Sequence, residues 1–135
     1  MRPAPGAVGS AGGCSSTLGN LANLYLRQGR YTDAEPLYKR ALLIYEKAFG
    51  LDHPDVATSL GNLAELYRLQ GRNDDAELFN QRAVAIYEIA LGPDHPNVAI
   101  ILNNIALVYQ IQGRFNEAET LSRRSLAIWE NPPCQ

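Results

Sequence analysis

The stretch LGNLANLYLRQGRYTDAE occupies residues 18–35, and it returns as LGNLAELYRLQGRNDDAE at residues 60–77 and as LNNIALVYQIQGRFNEAE at residues 102–119. Each copy begins 42 residues after the one before it. Over a full period, residues 18–59 and 60–101 are identical at 25 of 42 positions. Self-similarity at such a period is typical of a repeat array, in which one small unit is stacked against copies of itself. The sequence therefore predicts an array of three units.

Each copy reads as two helices joined by a short turn. The first helix has apolar residues at helical spacing, as in Leu18, Leu21, Ala22 and Tyr25. A Gln-Gly-Arg tripeptide follows at residues 28–30, 70–72 and 112–114, and its glycine suits the left-handed conformation that ends many helices. The pattern predicts a helix–turn–helix hairpin in every copy, and hence an all-α fold.

A capping-box spacing follows each turn. Short side chains with an oxygen are predicted to cap the second helix at one repeated position, occupied by Thr32, Asp74 and Asn116. Three positions later each copy has a glutamate, which is the partner that a capping box requires. These glutamates are Glu35, Glu77 and Glu119. We therefore expect each second helix to begin directly after its capping residue.

The tripeptide Asp-His-Pro occurs at residues 52–54 and 94–96, and it contains both histidines of the chain. Pro54 and Pro96 stand where the next first helix begins, a position that suits proline because its missing N–H has no partner there. His53 and His95 are equivalent residues of successive repeats, whereas two ligands of one metal ion must both approach it to roughly 2.0–2.2 Å. We predict that this tripeptide marks a helix start, and that it forms neither a metal site nor a catalytic site.

The composition indicates a folded protein and excludes several functional classes. The chain has 135 residues, 46% of them hydrophobic, and a formal net charge of −2, which argues against a general nucleic-acid binder. No apolar run is long enough for a membrane span, and the first residues lack the apolar core of a secretory signal. Cys14 and Cys134 have no metal-binding or redox spacing, which is typical of reduced thiols inside the cell. We expect a cytoplasmic protein without a cofactor.

The repeat boundaries follow from the helix starts and stops. We predict repeats at about residues 16–50, 54–92 and 96–130, which together form one repeat domain over residues 16–130. The Gly/Pro/Ala-rich residues 1–15 are predicted to be a flexible segment. Residues 131–135 are predicted to be a short tail because Asn131-Pro132-Pro133 cannot continue a helix.

These motifs resemble tetratricopeptide repeats, and the 42-residue period is similar to that of kinesin light chains and nephrocystin-type arrays. The resemblance covers about residues 16–130. It implies a right-handed superhelix of three hairpins, with no enzymatic activity, whose concave surface is lined by the first helices and binds peptides or partner proteins. The pattern also departs from the family, because Tyr45, Tyr87 and Trp129 stand where light chains often have an arginine that helps to bind acidic cargo.

The partner-binding residues are predicted on the face of each first helix that is opposite its apolar stripe. Asparagines recur there, and a side-chain amide can both donate to and accept from a peptide backbone. The third copy adds aliphatic residues on a face that would otherwise contact water. The predicted groove residues are Asn20, Asn23, Arg27, Asn62, Glu65, Arg68, Ile100, Asn103, Asn104, Leu107 and Ile111.

The two ends of the array suggest alternative functions. The last predicted helix carries Leu121, Leu126, Ile128 and Trp129, of which Ile128 and Trp129 have no following helix to contact. No polar capping helix follows Glu130. We therefore expect a chain that is marginally stable alone or that self-associates through its C-terminal face. Two alternatives to peptide binding stay open: a structural segment that stacks on copies of itself, and a regulatory arm of a larger sensor or enzyme.

Overall fold

A computed structural model describes residues 17–130 of the chain, and these residues form six helices without any strand. The helices are α1 at residues 17–27, α2 at Tyr31–Phe49, α3 at Pro54–Leu69, α4 at Asn73–Leu91, α5 at Pro96–Ile111 and α6 at Phe115–Glu130. The predicted all-α hairpin fold is confirmed. The predicted flexible segment and tail lie outside the described residues.

Successive hairpins stack on one another in chain order. The two helices of a hairpin contact each other, as α3 does with α4, and each second helix also contacts the first helix of the next hairpin, as α4 does with α5. An alanine recurs at one position of each first helix, and all three of these alanines are buried: Ala22, Ala64 and Ala106. Leu63 and Leu66 of α3 are buried in a core that includes Leu37 and Leu42 of α2. The core therefore continues from hairpin to hairpin, which is the packing of an α-solenoid.

The turn after each first helix is a Schellman motif. In the first copy the Arg30 N–H donates to the Tyr25 carbonyl at 2.8 Å, and the Gly29 N–H donates to Leu26 at 3.0 Å. Gly29 has φ +77°, a conformation that side chains with a Cβ rarely adopt. The same two bonds recur around Gly71 and Gly113. The predicted glycine stop is confirmed in all three copies.

The predicted capping box is wrong. The second helices begin earlier than predicted, at Tyr31, Asn73 and Phe115, so Thr32, Asp74 and Asn116 lie inside them. The N-cap residues of α2 and α4 are Arg30 and Arg72, and neither side chain caps its helix. The Arg30 carbonyl accepts the first helical bond, from the Ala34 N–H at 3.0 Å. Because the arginine both closes the turn and opens the helix, no separate capping residue is needed.

The glutamates of that pattern make other contacts instead. The hydroxyl of Tyr67 donates to Glu35 at 3.1 Å, and Arg72 lies 3.6 Å from the same carboxylate. Glu77 has the equivalent contacts with Tyr109 and Arg114 of the next repeat, whereas Glu119 pairs with Arg123 of its own helix. Burial opposes the charge of Glu35, but its hydrogen bonds to Lys39 and Tyr67 and the nearby cations lower its pKa overall. Glu35 and Glu77 therefore join successive repeats.

The Asp-His-Pro tripeptides start helices, as predicted. Pro54 and Pro96 are the first residues of α3 and α5, and the residues before them, His53 and His95, are the N-caps. Each imidazole Nδ1 accepts a bond of 3.0 Å from the backbone N–H two residues later. The histidine side chain thus satisfies a donor that the helix itself leaves unpaired.

The C-terminal helix differs in one respect from the expectation. Leu126 and Trp129 are exposed, but Ile128, which we expected to lack a partner, is buried in the core formed with α3, α4 and α5. Ile128 is equivalent to Ile86, which is also buried. Its side chain lies on the inner face of α6, so it needs no following helix.

Candidate functional site

A groove crosses the first helices of the three hairpins. One cavity of about 170 Å³ lies between α1 and α3, and another of about 350 Å³ lies between α3 and α5. Thr58 and Asn62 of α3 line both cavities, so the two are adjacent, and together they are called the trough. Its floor is aromatic, with Tyr38 and Tyr45 of α2 in one cavity and Tyr87 of α4 in the other.

An asparagine from each repeat lines the trough. Asn20 and Asn62 face the cavity between α1 and α3, and Asn62 and Asn104 face the cavity between α3 and α5. Asn20 is exposed, and the other two are half-buried. Within residues 17–130, none of these three side chains hydrogen-bonds to another residue. Their amides are therefore available to a ligand.

The floor of the trough is held by hydrogen bonds between the helices of a hairpin. The Tyr38 hydroxyl donates to Oδ1 of Asn23, and the hydroxyls of Tyr87 and Thr58 lie 2.5 Å apart. Burial, together with the negative charge of Glu65, raises the pKa of Tyr38 to about 12, so the phenol is a neutral donor at physiological pH. Asn23, predicted as a binding residue, thus has its oxygen occupied and only its NH₂ group free.

The charges at the centre of the trough cancel. Arg68 binds Glu65 through two hydrogen bonds, Nε–Oε1 at 3.0 Å and a terminal nitrogen to Oε2 at 2.5 Å. The hydrogen bond to Glu65 raises the pKa of Arg68 further above its usual range. Glu65 lines the cavity between α3 and α5, whereas Arg68 lies one turn further along α3. A two-point pair of this kind leaves neither ion free for a charged ligand.

The structure brings together some of the predicted groove residues. Six of the predicted residues line the two cavities; the other predicted residues are Arg27, Arg68, Asn103, Leu107 and Ile111. All five lie on the first helices and none is buried. Ile100, Leu107 and Ile111 are exposed along α5, so the α5 end of the surface is aliphatic.

The prediction from sequence missed the residues of the second helices. Tyr38, Tyr45 and Tyr87 line the trough, although only first-helix residues had been assigned to it. A signal was present, because Tyr45 and Tyr87 recur at the repeat period, each four residues after a buried alanine. That spacing places each tyrosine on the helix face that contacts the first helices.

Among residues 17–130, no group of three or more His, Cys, Asp and Glu side chains could hold a metal ion. In that same part of the chain, no helix has the length and apolar character needed to cross a bilayer.

Titration of the protein with zinc is expected to give no stoichiometric tight site in calorimetry. His53 and His95 each use Nδ1 to cap a different helix, and a shared ion would need both imidazoles within roughly 2.0–2.2 Å of it. His53→Ala and His95→Ala serve as the comparison. Tight binding by the natural chain that either substitution removes would contradict the structural role.

Comparison with known proteins identifies relatives of this chain. The tetratricopeptide repeat family matches residues 14–89 and 81–131. The structure of BtubC (BKLC) from P. vanneervenii superposes with a TM-score of 0.78 at 28% identity, covering 84% of this chain and 45% of that one. The putative kinesin light chain repeats of Podosopora anserina superpose with a TM-score of 0.76 at 27% identity, covering 87% of this chain and 59% of that one. This chain thus spans about half the length of these relatives.

A more distant structure carries a ligand. The second TPR of Spaghetti (RPAP3), bound to the HSP90 peptide SRMEEVD, superposes with a TM-score of 0.63 at 17% identity, covering 85% of this chain and 92% of that one. At this identity the likeness extends to the fold alone.

Proposed function

We propose that this chain, which belongs to the tetratricopeptide repeat family and has repeats of the kinesin light chain type, binds an extended peptide segment of a partner protein in the trough across α1, α3 and α5. Repeats of this family typically mediate protein–protein interaction. The observation that carries the proposal is the row formed by Asn20, Asn62 and Asn104, whose amides have no partner within residues 17–130. The groove binds its ligand and does no catalysis.

The asparagine row suits the backbone of an extended peptide. Such a backbone presents alternating N–H and C=O groups along its length, and each side-chain amide offers both a donor and an acceptor to them. Hydrogen bonds to the peptide backbone hold a segment without contacting every side chain, so one groove can bind several related sequences. This mode resembles the binding of cargo peptides by kinesin light chains, and the ligand is a protein segment in preference to a nucleic acid or a membrane.

The trough favours a segment that is uncharged at its centre and aliphatic at its α5 end. Glu65 is neutralised by Arg68, so the centre offers no unpaired cation to an acidic side chain. Ile100 and Ile101 line the cavity beside Gly61, and a Cβ at Gly61 would lie 3.3 Å from Cδ1 of Ile101, so the glycine leaves room for this aliphatic side chain. The SRMEEVD peptide bound by Spaghetti is acidic, and we expect peptides of that charge to bind this chain more weakly than neutral ones.

Replacing Asn62 and Asn104 together with alanine is expected to weaken peptide binding by about 1–3 kcal/mol, since the peptide groups that they pair with would be left buried and unpaired. A peptide array identifies a ligand for the natural chain, and calorimetry then measures its affinity for each variant. Asn116→Ala is the matched control, because Asn116 is exposed on α6 outside the trough. Helicity by circular dichroism should be the same in all three proteins. Unchanged affinity in the double variant would contradict the proposal that the peptide binds in the trough.

A second candidate function, self-association of the array, is favoured by the exposed apolar residues Leu126 and Trp129 at its C-terminal end. It uses surfaces other than the trough and does not depend on the peptide proposal. For either function we propose the cytoplasm as the place of action.

A further inference from the structure

We propose that the two ends of the array bind each other, so that α6 of one copy stacks head-to-tail on α1 and α2 of a second copy. The N-face is the surface formed by Leu21, Leu24, Arg30 and Arg40. The C-face is the surface formed by Glu119, Leu121, Leu126, Trp129 and Glu130. The contact would repeat, between two chains, the packing that already joins successive hairpins within one chain.

The N-face exposes apolar residues of a kind that the array buries elsewhere. Leu21 and Leu24 on α1 are 38% and 51% exposed. In the second and third copies the residues at these positions pack against the preceding hairpin, and each is at most 3% exposed: Leu63, Leu66, Ile105 and Val108. Only α1 has no described hairpin before it. Within residues 17–130, no hairpin covers Leu21 and Leu24 in the way that α2 and α4 cover the equivalent residues of α3 and α5.

The C-face offers the other half of that contact. Leu63 and Leu66 of α3 pack against Leu37 and Leu42 of α2. The equivalents of these two α2 residues on α6 are Leu121 and Leu126, and Leu126 is 56% exposed. Trp129 is 44% exposed, whereas its equivalent Tyr87 is 5% exposed. Leu21 and Leu24 of a second copy can cover this surface as Leu63 and Leu66 cover α2.

Charge selects the head-to-tail arrangement over the others. Arg82 pairs with Glu46 of the preceding repeat at 3.0 Å, and Arg124 pairs with Glu88 at 2.5 Å. These two ion pairs form a ladder that joins successive repeats. Arg40 is equivalent to Arg82, and Glu130 is equivalent to Glu88, but within residues 17–130 neither has an ion-pair partner in another repeat. The unpaired cation therefore lies on the N-face and the unpaired carboxylate on the C-face.

A second set of ion pairs between repeats also leaves a cation on the N-face and a carboxylate on the C-face. Arg72 contacts Glu35 of the preceding repeat, and Arg114 contacts Glu77, which leaves Arg30 on the N-face and Glu119 on the C-face without a partner from another repeat. Opposite charges meet when a C-face binds an N-face, whereas two C-faces or two N-faces bring like charges together. Each head-to-tail contact leaves one face of each kind open, so association continues into linear chains.

A charge exchange across the proposed contact tests it on the full chain. The natural protein is expected to show a sedimentation coefficient that rises with concentration at low salt. Arg40→Glu and Glu130→Arg, studied separately, are each expected to weaken association by at least about tenfold, because each places like charges across the contact. An equimolar mixture of these two variants is expected to associate again, since each face then meets an opposite charge. The double variant R40E/E130R is expected to associate with itself for the same reason.

The single tryptophan provides a second readout. Trp129 lies on the C-face, so its emission is expected to shift to shorter wavelength as association buries it. Lys47→Glu and Asp52→Arg make the same charge changes at exposed residues that belong to neither face, and they should associate like the natural protein. A natural chain that stays monomeric at every concentration would overturn the proposal. So would full association of Arg40→Glu alone, or a mixture that stays monomeric.

Discussion

Replacing Leu66 with alanine is expected to lower the free energy of unfolding by about 2–5 kcal/mol. The side chain of Leu66 is completely buried between hairpins, in the core that α3 shares with α2. Truncation removes apolar contacts and leaves a cavity, because the surrounding helices cannot close the space fully. In a solenoid this interface holds one hairpin to the next, so the substitution weakens the contact between hairpins on which the stability of the array depends.

Leu24→Ala is the matched control for this prediction. Leu24 occupies the same position one repeat earlier, but it is exposed on α1. We expect a change of less than about 0.5 kcal/mol, as for an ordinary surface substitution. Urea unfolding followed by circular dichroism, at a concentration where the chain is monomeric, measures both variants. A loss at Leu24 as large as that at Leu66 would show that Leu24 is already covered within one chain.

Replacing Tyr87 with alanine is expected to lower the free energy of unfolding by about 3–5 kcal/mol, as for other large buried aromatic residues. Tyr87 is buried in the core shared by α3 to α6, and its hydroxyl lies 2.5 Å from the hydroxyl of Thr58. Because Tyr87 also forms the floor of the trough, the same substitution should weaken peptide binding.

Two further variants separate the contributions at this position. Tyr87→Phe keeps the ring and removes the hydroxyl, so it should cost only about 0.5–1.5 kcal/mol, the usual net value of one hydrogen bond. Trp129→Ala, at the equivalent position of α6, should cost much less than Tyr87→Ala, because Trp129 is exposed in the monomer. Urea unfolding ranks the three variants. A loss at Trp129 as large as that at Tyr87 would mean that the C-face is already covered within one chain.

The sequence by itself determined the local structure of this protein. The number of hairpins, the glycine turns at Gly29, Gly71 and Gly113, and the helix starts at Pro54 and Pro96 are all present as predicted. Each of these features depends on backbone preferences within about one helical turn: the left-handed conformation of glycine and the fixed φ of proline. A pattern that is repeated in every copy identifies them without knowledge of the packing.

Only the tertiary structure decided which partner each side chain meets. Glu35 and Glu77, which by spacing alone complete capping boxes, bind tyrosine and arginine of the next repeat. The floor of the trough comes from the second helices because these pack beneath the first helices. Ile128 and Trp129 are neighbours in sequence, but one is buried and the other exposed. Adjacent residues point about 100° apart around a helix. Which of the two is buried therefore depends on how α6 is rotated against α5, and the packing of whole hairpins determines that rotation.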